Sequence, residues 1–463
     1  MNPDKMETLS PSSDVLHDSA RTAAYLKLIL CSGFGIALFL LPLNVDGNWT
    51  IVLAIFTNTI VSWLSEQLAW FTVPLFVLGG TISVLYNVLP RAIVARLPMH
   101  ERFQSSHWIW TLLAILGAIF AVCTFLQTGP DWIIGAKTGG TAYIDVAGPI
   151  FLLIGFGCLF LPFLSDYGLL EFVGTMLQKP YQKLFNLPGR ATIDTLASWV
   201  GSSSIAVLMT GHQYEKGYYT GRQAATICTN FSVVSIPFVV LISQVAGLAE
   251  YFFQLYMAMI VICVVCAVIT PRLPPLKWIS DDYYGLAGKQ ITEDVHADHS
   301  RFSWALNQSL LVASRAHDPM TSLKKGFSSM VDIFLMMMPA AMTIEFITLA
   351  VYNHTPIFQF MAYPLVPLLD LLQIPESHIA APGLFIGIFD QFVPAIMAGE
   401  SNSLITKFVL AGLSVTQVIF FAETALLILR SQIPLSVMQL VAIFCIRTII
   451  ALPMLAIIAH WIF

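Results

Sequence analysis

The chain has 463 residues, of which 57% are hydrophobic and only 11% are charged. Because a soluble domain carries about 25% charged residues, this composition excludes an ordinary soluble protein and indicates a polytopic membrane protein. The net charge of −5 comes without a prominent basic patch, so no nucleic-acid partner is expected.

The hydrophobic runs of the chain predict most of its helices. The first 20 residues are polar and predict a disordered tail with no cleavable signal peptide. Runs of about 20 apolar residues, the length that crosses the hydrocarbon of a bilayer, follow it. They predict spans at roughly 23–44, 67–90, 108–128, 147–165, 223–247, 250–270, 328–352, 403–429 and 434–462. The stretch 50–66 fits either a helix of its own or the first part of a longer bent helix, so nine to ten spans are expected.

The charges of the loops predict the orientation of the chain. Lys and Arg are concentrated in three loops, 91–107, 166–190 and 271–327, which are therefore expected in the cytoplasm. The loop 128–146 has one Lys and two Asp and is expected outside. Within the longest loop, the segment Arg301–Ala316 has the apolar spacing of an amphipathic helix, lying on the membrane face or packed on the protein.

Two stretches, 191–211 and 378–399, share an unusual pattern. Each follows an apolar residue and a proline, is interrupted midway (GSSS in the first, DQFVP in the second) and ends near a glycine. Broken apolar segments at matching places in two halves point to the binding site of a transporter. The loop charges make the first stretch enter from the cytoplasm and the second from outside, so the two are predicted to be inverted.

The predicted fold is therefore an all-α polytopic membrane protein with two inverted repeats, each containing a re-entrant helical hairpin. The expected parts are a tail (1–20), scaffold helices (21–146), a first repeat with hairpin 191–211 (147–270), a cytoplasmic loop with an amphipathic helix (271–327) and a second repeat with hairpin 378–399 (328–463).

The first hairpin offers hydroxyl groups at its break, on Ser202, Ser203 and Ser204. Hydroxyls and the exposed helix ends of a hairpin tip can hold an ion or an anionic group of a substrate. We predict a substrate-binding role for the three serines. The alternative is that small residues only allow a tight turn and close packing of helices.

The second hairpin offers a carboxyl group, because Asp390 and Gln391 lie at its break and Pro394 prevents a continuous helix. A carboxylate at membrane depth is costly and by default functional, so Asp390 is predicted to bind a cation or carry a proton, and Gln391 to bind substrate. A salt bridge, or a tip that reaches water, is the alternative. Ser401 and Asn402 at the hairpin's end are interpreted as helix caps or as substrate ligands.

Polar residues also interrupt the spans that follow the hairpins. The span 223–247 contains Thr229, Asn230 and Ser232, and the span 403–429 contains Gln417 and Glu423. We predict that Thr229 and Glu423 couple an ion and that the other three bind substrate. The alternative is a set of structural hydrogen bonds between helices.

The segment GSSSIAVLMTGHQYEKGYYTGRQAATICTNFSVVSIPF (Gly201–Phe238) resembles the nucleoside-recognition, or Gate, domain. From about residue 20 onward, the chain resembles the bacterial YjiH-like membrane proteins, with a more distant resemblance to concentrative nucleoside transporters and spore-maturation proteins A and B. The resemblance implies an inner-membrane protein with two Gate-type repeats that forms an oligomer.

These patterns predict a secondary active transporter of a small polar solute, such as an amino acid, a peptide, an organic ion or a nucleoside. A sodium or proton gradient would drive it, so Na+ is a candidate coupling ion and no cofactor is expected. The alternative is a non-transporting Gate-domain component that acts with a partner membrane subunit. No hydrolytic or nucleotide-binding motif is present, so no catalytic residue is predicted.

Overall fold

A computed structural model describes residues 18–45, 48–64, 67–89, 108–200, 203–285 and 300–463. Most of these residues are helical, and seven helices are long and apolar enough to cross a membrane. The seven correspond to seven of the predicted spans: Arg21–Phe39, Leu68–Val88, Trp108–Phe125, Asp131–Ser165, Ala249–Arg272, Pro319–His354 and Val437–Ile462. The predicted all-α, multi-pass membrane fold is thus confirmed, whereas the exact number of crossings and the inverted repeat stay predictions.

The described residues of the N-terminal part contain four helices and one strand pair. Helix α1 passes from Asp18–Leu26 through π-helical turns to Ser32–Phe39. Two short antiparallel strands, β1 (Pro42–Val45) and β2 (Asn48–Ile51), follow α1. The all-α prediction does not include them. The next helices are α2 (Val52–Leu64), α3 (Leu68–Val88) and α4 (Trp108–Phe125). Residues 52–64 of the stretch 50–66 therefore form a helix, whereas residues 65 and 66, on which its relation to α3 depends, lie outside the described residues.

The predicted outer loop 128–146 is wrong for most of its length. Helix α5 (Asp131–Ser165) already begins there, with a π-helical part at Ala136–Val146. The polar residues of this part predict a loop, but Thr138 and Tyr143 are buried against neighbouring helices. Burial on the finished fold, which local polarity does not reveal, extends the helix.

The region of the first predicted repeat contains short helices followed by one long helix. They are α6 (Leu169–Phe185), α7 (Ala191–Val200), α8 (Ser203–Glu215), α9 (Gly221–Asn230), α10 (Ile236–Val245) and α11 (Ala249–Arg272). The predicted continuous span 223–247 is wrong, because the chain leaves the helical path at 231–235 between α9 and α10. Ser235 and Pro237 begin the new helix there, as Pro is favoured in the first helical turn.

Among the described residues, one connecting helix precedes the second half, whose helices follow in the same order as those of the first. Helix α12 (Arg301–Arg315) packs against α6 and α1, and α13 (Pro319–His354) is the next long helix. The remaining helices are α14 (Ile357–Leu371), α15 (Ser377–Ile386), α16 (Val393–Glu400), α17 (Leu404–Thr416), α18 (Thr424–Arg430) and α19 (Val437–Ile462). The predicted continuous span 403–429 is also wrong, since it is broken at 417–423.

The two hairpins pack crosswise. Within each hairpin the arms contact one another, α7 with α8 and α15 with α16. The second arm of the first hairpin, α8, packs on α18, whereas the second arm of the second hairpin, α16, packs on α10. Each hairpin therefore contacts the broken helix of the opposite half, and this arrangement brings the polar breaks of both halves together.

Candidate functional site

Glu423 lies where the two hairpins meet. It begins α18 at the end of the broken segment 417–423, and the Ser203 hydroxyl of the first hairpin donates a hydrogen bond of 2.8 Å to its Oε1. The backbone before Glu423 binds the second hairpin, because the N–H of Phe421 donates to the carbonyl of Ile388 at 2.7 Å and that of Ala422 to Phe389 at 2.9 Å. The side chain of Glu423 thus binds the first hairpin, while the backbone just before it is hydrogen-bonded to the second hairpin.

Two further carboxyl groups lie near Glu423. Asp390, at the break of the second hairpin, is 7% exposed, and its Oδ1 accepts a hydrogen bond of 2.7 Å from the N–H of Phe392. Asp390 is within electrostatic range of both Glu423 and Glu345 of α13. Glu345 is 2% exposed, and its Oε1 has no hydrogen-bond partner among the described residues. Three different elements therefore supply acidic groups to one buried region.

The amide side chains of the second half line the same break. Gln417 donates from Nε2 to the carbonyl of Leu384 at 3.0 Å and to the hydroxyl of Thr448 at 2.9 Å. Gly387 lies so close that a Cβ there would stand 2.1 Å from Gln417 Oε1. Within the described part of the chain, the buried Oε1 atoms of Gln417 and Gln391 have no partner. Both amides therefore have acceptor capacity for a ligand.

The predicted residues of the first broken helix differ in whether their polar atoms already have hydrogen-bond partners. The Thr229 hydroxyl donates to the carbonyl of Ala225 at 2.7 Å. Asn230 is wholly engaged: its Oδ1 accepts from Thr270 at 2.6 Å and from Arg447 at 2.8 Å, and its Nδ2 donates to the carbonyl of Thr226. The buried Ser232 hydroxyl, by contrast, finds no partner in the described ranges.

Ser401 and Asn402 bind Glu376 at the base of the second hairpin. The Ser401 hydroxyl and the Asn402 N–H, the latter at 3.1 Å, both donate to Glu376 Oε2. The hydrogen bond from Ser401 is the main cause of a lowered pKa of Glu376. The N-cap of α17 is Ser403, whose hydroxyl accepts a hydrogen bond of 3.3 Å from the N–H of Thr406. The interpretation of Ser401 and Asn402 as helix caps is therefore wrong, because the cap lies one or two residues further along the chain.

The break of the first hairpin is only partly described. Ser202 and the side chain of Ser204 lie outside the described residues, so their predicted roles stay predictions. The neighbouring arm contributes Ser198, whose hydroxyl donates to the carbonyl of Val233 in the broken segment 231–235 at 3.0 Å. The first hairpin is therefore hydrogen-bonded to the broken helix of its own half as well.

Sequence reasoning missed two buried charged residues. Arg447 of α19 is completely buried and donates hydrogen bonds to the ends of both broken helices. Asp194 of α7 is 1% exposed and accepts from Thr210 of α8 at 3.1 Å and from Tyr219 at 2.9 Å, which joins the two arms of the first hairpin. The available signal was the same for both: a charged residue within an apolar segment.

Comparisons with known proteins place the chain in a family. An uncharacterized protein of Alkalihalophilus pseudofirmus is 40% identical to this chain over 444 residues, which cover 96% of each. The chain belongs to the family of that protein. Residues 147–249, which contain the first hairpin and its broken helix, match the Gate family, described as nucleoside recognition. A Gate domain within a multi-pass membrane protein supports a transporter-like role for this protein.

Solved structures with a similar course of the chain include two states of one protein. CNTnw in an inward-facing substrate-bound state is 11% identical, with a TM-score of 0.40 over 95% of this chain and 98% of that chain. A CNTnw variant in an outward-facing state is also 11% identical, with a TM-score of 0.40 over 95% and 97% of the two chains.

Proposed function

We propose that this protein is a secondary active transporter of a small polar solute in a bacterial inner membrane, driven by a sodium or proton gradient. The observation that carries the proposal is the position of Glu423. Its side chain binds Ser203 of the first hairpin, and its backbone segment binds the second hairpin at Ile388 and Phe389. A change of charge at this residue acts on both hairpins at once.

The carboxyl groups are suited to coupling. Asp390 and Glu345 are both more than nine-tenths buried, and two negative charges within electrostatic range of each other in a low-dielectric region repel each other. Binding a cation or a proton relieves this repulsion and so favours one arrangement of the surrounding elements. Because a ligand shifts a conformational equilibrium only by its differential affinity for the two states, such a group is what couples ion binding to movement.

The solute is expected to be small, polar and able to donate hydrogen bonds. Among the described residues of the breaks, the Oε1 atoms of Gln391 and Gln417 and the hydroxyl of Ser232 are buried and have no hydrogen-bond partner. Buried polar atoms without partners cost free energy, so a donor-bearing ligand gains by satisfying them. Nucleosides, amino acids, short peptides and organic ions carry such groups, and the Gate match makes nucleosides the first class to test.

A thermal-shift screen of the purified full chain tests the proposal. Nucleosides, amino acids, dipeptides and organic acids are each added with sodium or choline and at two pH values. A ligand that binds only the folded state raises Tm by mass action, and about 100-fold excess over Kd adds about 2.7 kcal/mol. We expect a hit whose shift depends on sodium or pH and is lost in Asp390→Asn.

The matched control is Asp370→Asn, the same substitution at an exposed aspartate of α14. It is expected to keep the shift of the wild-type protein. If none of the four classes shifts Tm while the protein stays folded, the transporter proposal fails and a non-transporting component that needs a partner subunit replaces it.

A further inference from the structure

The ends of two broken helices meet at one arginine. Helix α9 ends at Asn230 and α17 ends at Thr416, and in each case the chain then leaves the helical path. The last carbonyl groups of a helix have no partner within it and must be satisfied in some other way inside a membrane. Between them, Arg447 of α19 offers a guanidinium group that is completely buried.

The guanidinium is bonded to both ends. On the side of α17, Nε donates to the carbonyls of Thr416 at 3.0 Å and Gln417 at 3.1 Å, and Nη2 donates to Thr416 at 2.6 Å. On the side of α9, Nη1 donates to the carbonyl of Thr229 at 3.3 Å and to Oδ1 of Asn230 at 2.8 Å. The two helices belong to different halves of the chain, so no local sequence feature brings them together.

The charges at this point balance without an acidic residue. Within the described residues, Arg447 forms no salt bridge with a carboxyl group. The C-terminal end of a helix carries about half a negative elementary charge, so two ends together offset about one positive charge. The guanidinium therefore serves as the shared counter-charge of two helix ends.

We propose that Arg447 is the positioning residue of the site: its positive charge, and not only its size, holds the broken helices of the two halves together. The segments that it fixes lead directly to the functional groups. The chain passes from Asn230 to the unpartnered hydroxyl of Ser232, and from Gln417 to Glu423. The inference rests on these contacts and stands whether or not the protein transports a solute.

Chemical rescue separates charge from shape. Arg447→Ala leaves two helix ends unsatisfied and breaks buried charged interactions, so Tm should fall by roughly 3–5 °C. Guanidinium ion at millimolar concentrations, far below those that denature, is expected to restore at least half of the lost Tm. Urea is nearly the same shape but neutral, and it should restore none.

Arg430→Ala serves as the matched control, because Arg430 lies over the ring of Trp110 at 5.2 Å and is exposed. Guanidinium should not raise the Tm of this variant. Equal rescue of Arg447→Ala by urea and guanidinium, or no loss of Tm in that variant, overturns the proposal.

A second readout tests whether Arg447 acts on both helices. Cysteines introduced by Ser232→Cys and Ala422→Cys report on the two broken segments, both of which are buried. In the Arg447→Ala background, both should react faster with a thiol reagent, and guanidinium should slow both. A response at only one of the two positions contradicts the joining role.

Should Arg447→Ala fail to fold, Arg447→Lys and Arg447→Met answer the same question. Lysine keeps the positive charge but lacks the planar set of N–H donors of the guanidinium, whereas methionine has a similar length and no charge. The lysine variant is expected to have the higher Tm. Equal Tm values for the two variants would show that charge is not what joins the helices.

Discussion

Glu423 and Asp390 illustrate what single residues reveal before a structure is known. A carboxyl group within an apolar run stands out in the sequence because burying it is costly, and both residues were predicted as coupling groups on that ground. Their partners could not be predicted, since Ser203 and Glu423 are 220 positions apart in the chain. Arg447 gives the same kind of signal, but its partners, the carbonyls of Thr416 and Thr229, come from elements far away in the chain.

The hydrogen bond between Ser203 and Glu423 is expected to couple the two halves energetically. Ser203→Ala and Glu423→Gln should be non-additive, with a coupling of about 1–2 kcal/mol in the free energy of unfolding, because both groups are partly or wholly buried. The same cycle on the exposed pair Lys137 and Glu400 should give about 0–1 kcal/mol. Additive effects at Ser203 and Glu423 would show that the contact is not formed in solution.

The contacts of Glu376 predict a pH dependence. Hydrogen bonds from Ser401 and Asn402 lower its pKa, so the folded state favours the charged form. The resulting stability is present above the ordinary value of 4.5 and is lost as pH falls through the lower folded value. The wild-type protein should therefore melt at a higher temperature than Glu376→Gln at neutral pH, and the difference should shrink below pH 4.5. A difference that grows on acidification would refute the assigned hydrogen bonds.

At the scale of elements, hydrophobicity predicted the long helices, and polar residues marked the two spans that are broken. That these spans are unwound over 231–235 and 417–423 could not be predicted from one sequence, because the new partners of the freed backbone groups come from distant elements. The carbonyl of Val233, for example, accepts from Ser198, and the N–H of Phe421 donates to Ile388. Local propensity contains no information about such partners.

The close approach of Gly387 to Gln417 makes the second hairpin sensitive to a single methyl group. In Gly387→Ala the new Cβ would lie 2.1 Å from Gln417 Oε1, so the amide must move and its bond to Leu384 is strained. We expect a loss of about 1–3 kcal/mol and a weaker thermal shift with any hit of the screen. Gly157→Ala is the control, because no atom lies within 4 Å of that position and alanine favours the helix. Equal melting of both variants would argue against the tight contact.

At the scale of the whole molecule, the two hairpins are expected to open to opposite sides of the membrane. Lys216 follows the first hairpin and Asp370 precedes the second, and both side chains are exposed. Single cysteines at these positions, in a background with exposed Cys445 replaced, should react with an impermeant thiol reagent from opposite sides of sealed vesicles. The side of Lys216 should be the cytoplasmic one. Reaction of both cysteines from the same side would contradict the inverted repeat.

Solute uptake into proteoliposomes tests the central claim most directly. The compound with the largest thermal shift is supplied outside vesicles that contain the wild-type protein, Asp390→Asn or Asp370→Asn, with a sodium gradient, a proton gradient or neither. We predict accumulation above equilibrium under one of the gradients for the wild-type protein and Asp370→Asn, and its loss in Asp390→Asn. Uptake that never exceeds equilibrium, or that is unchanged in Asp390→Asn, would contradict a coupled transporter with its ion site at the second hairpin.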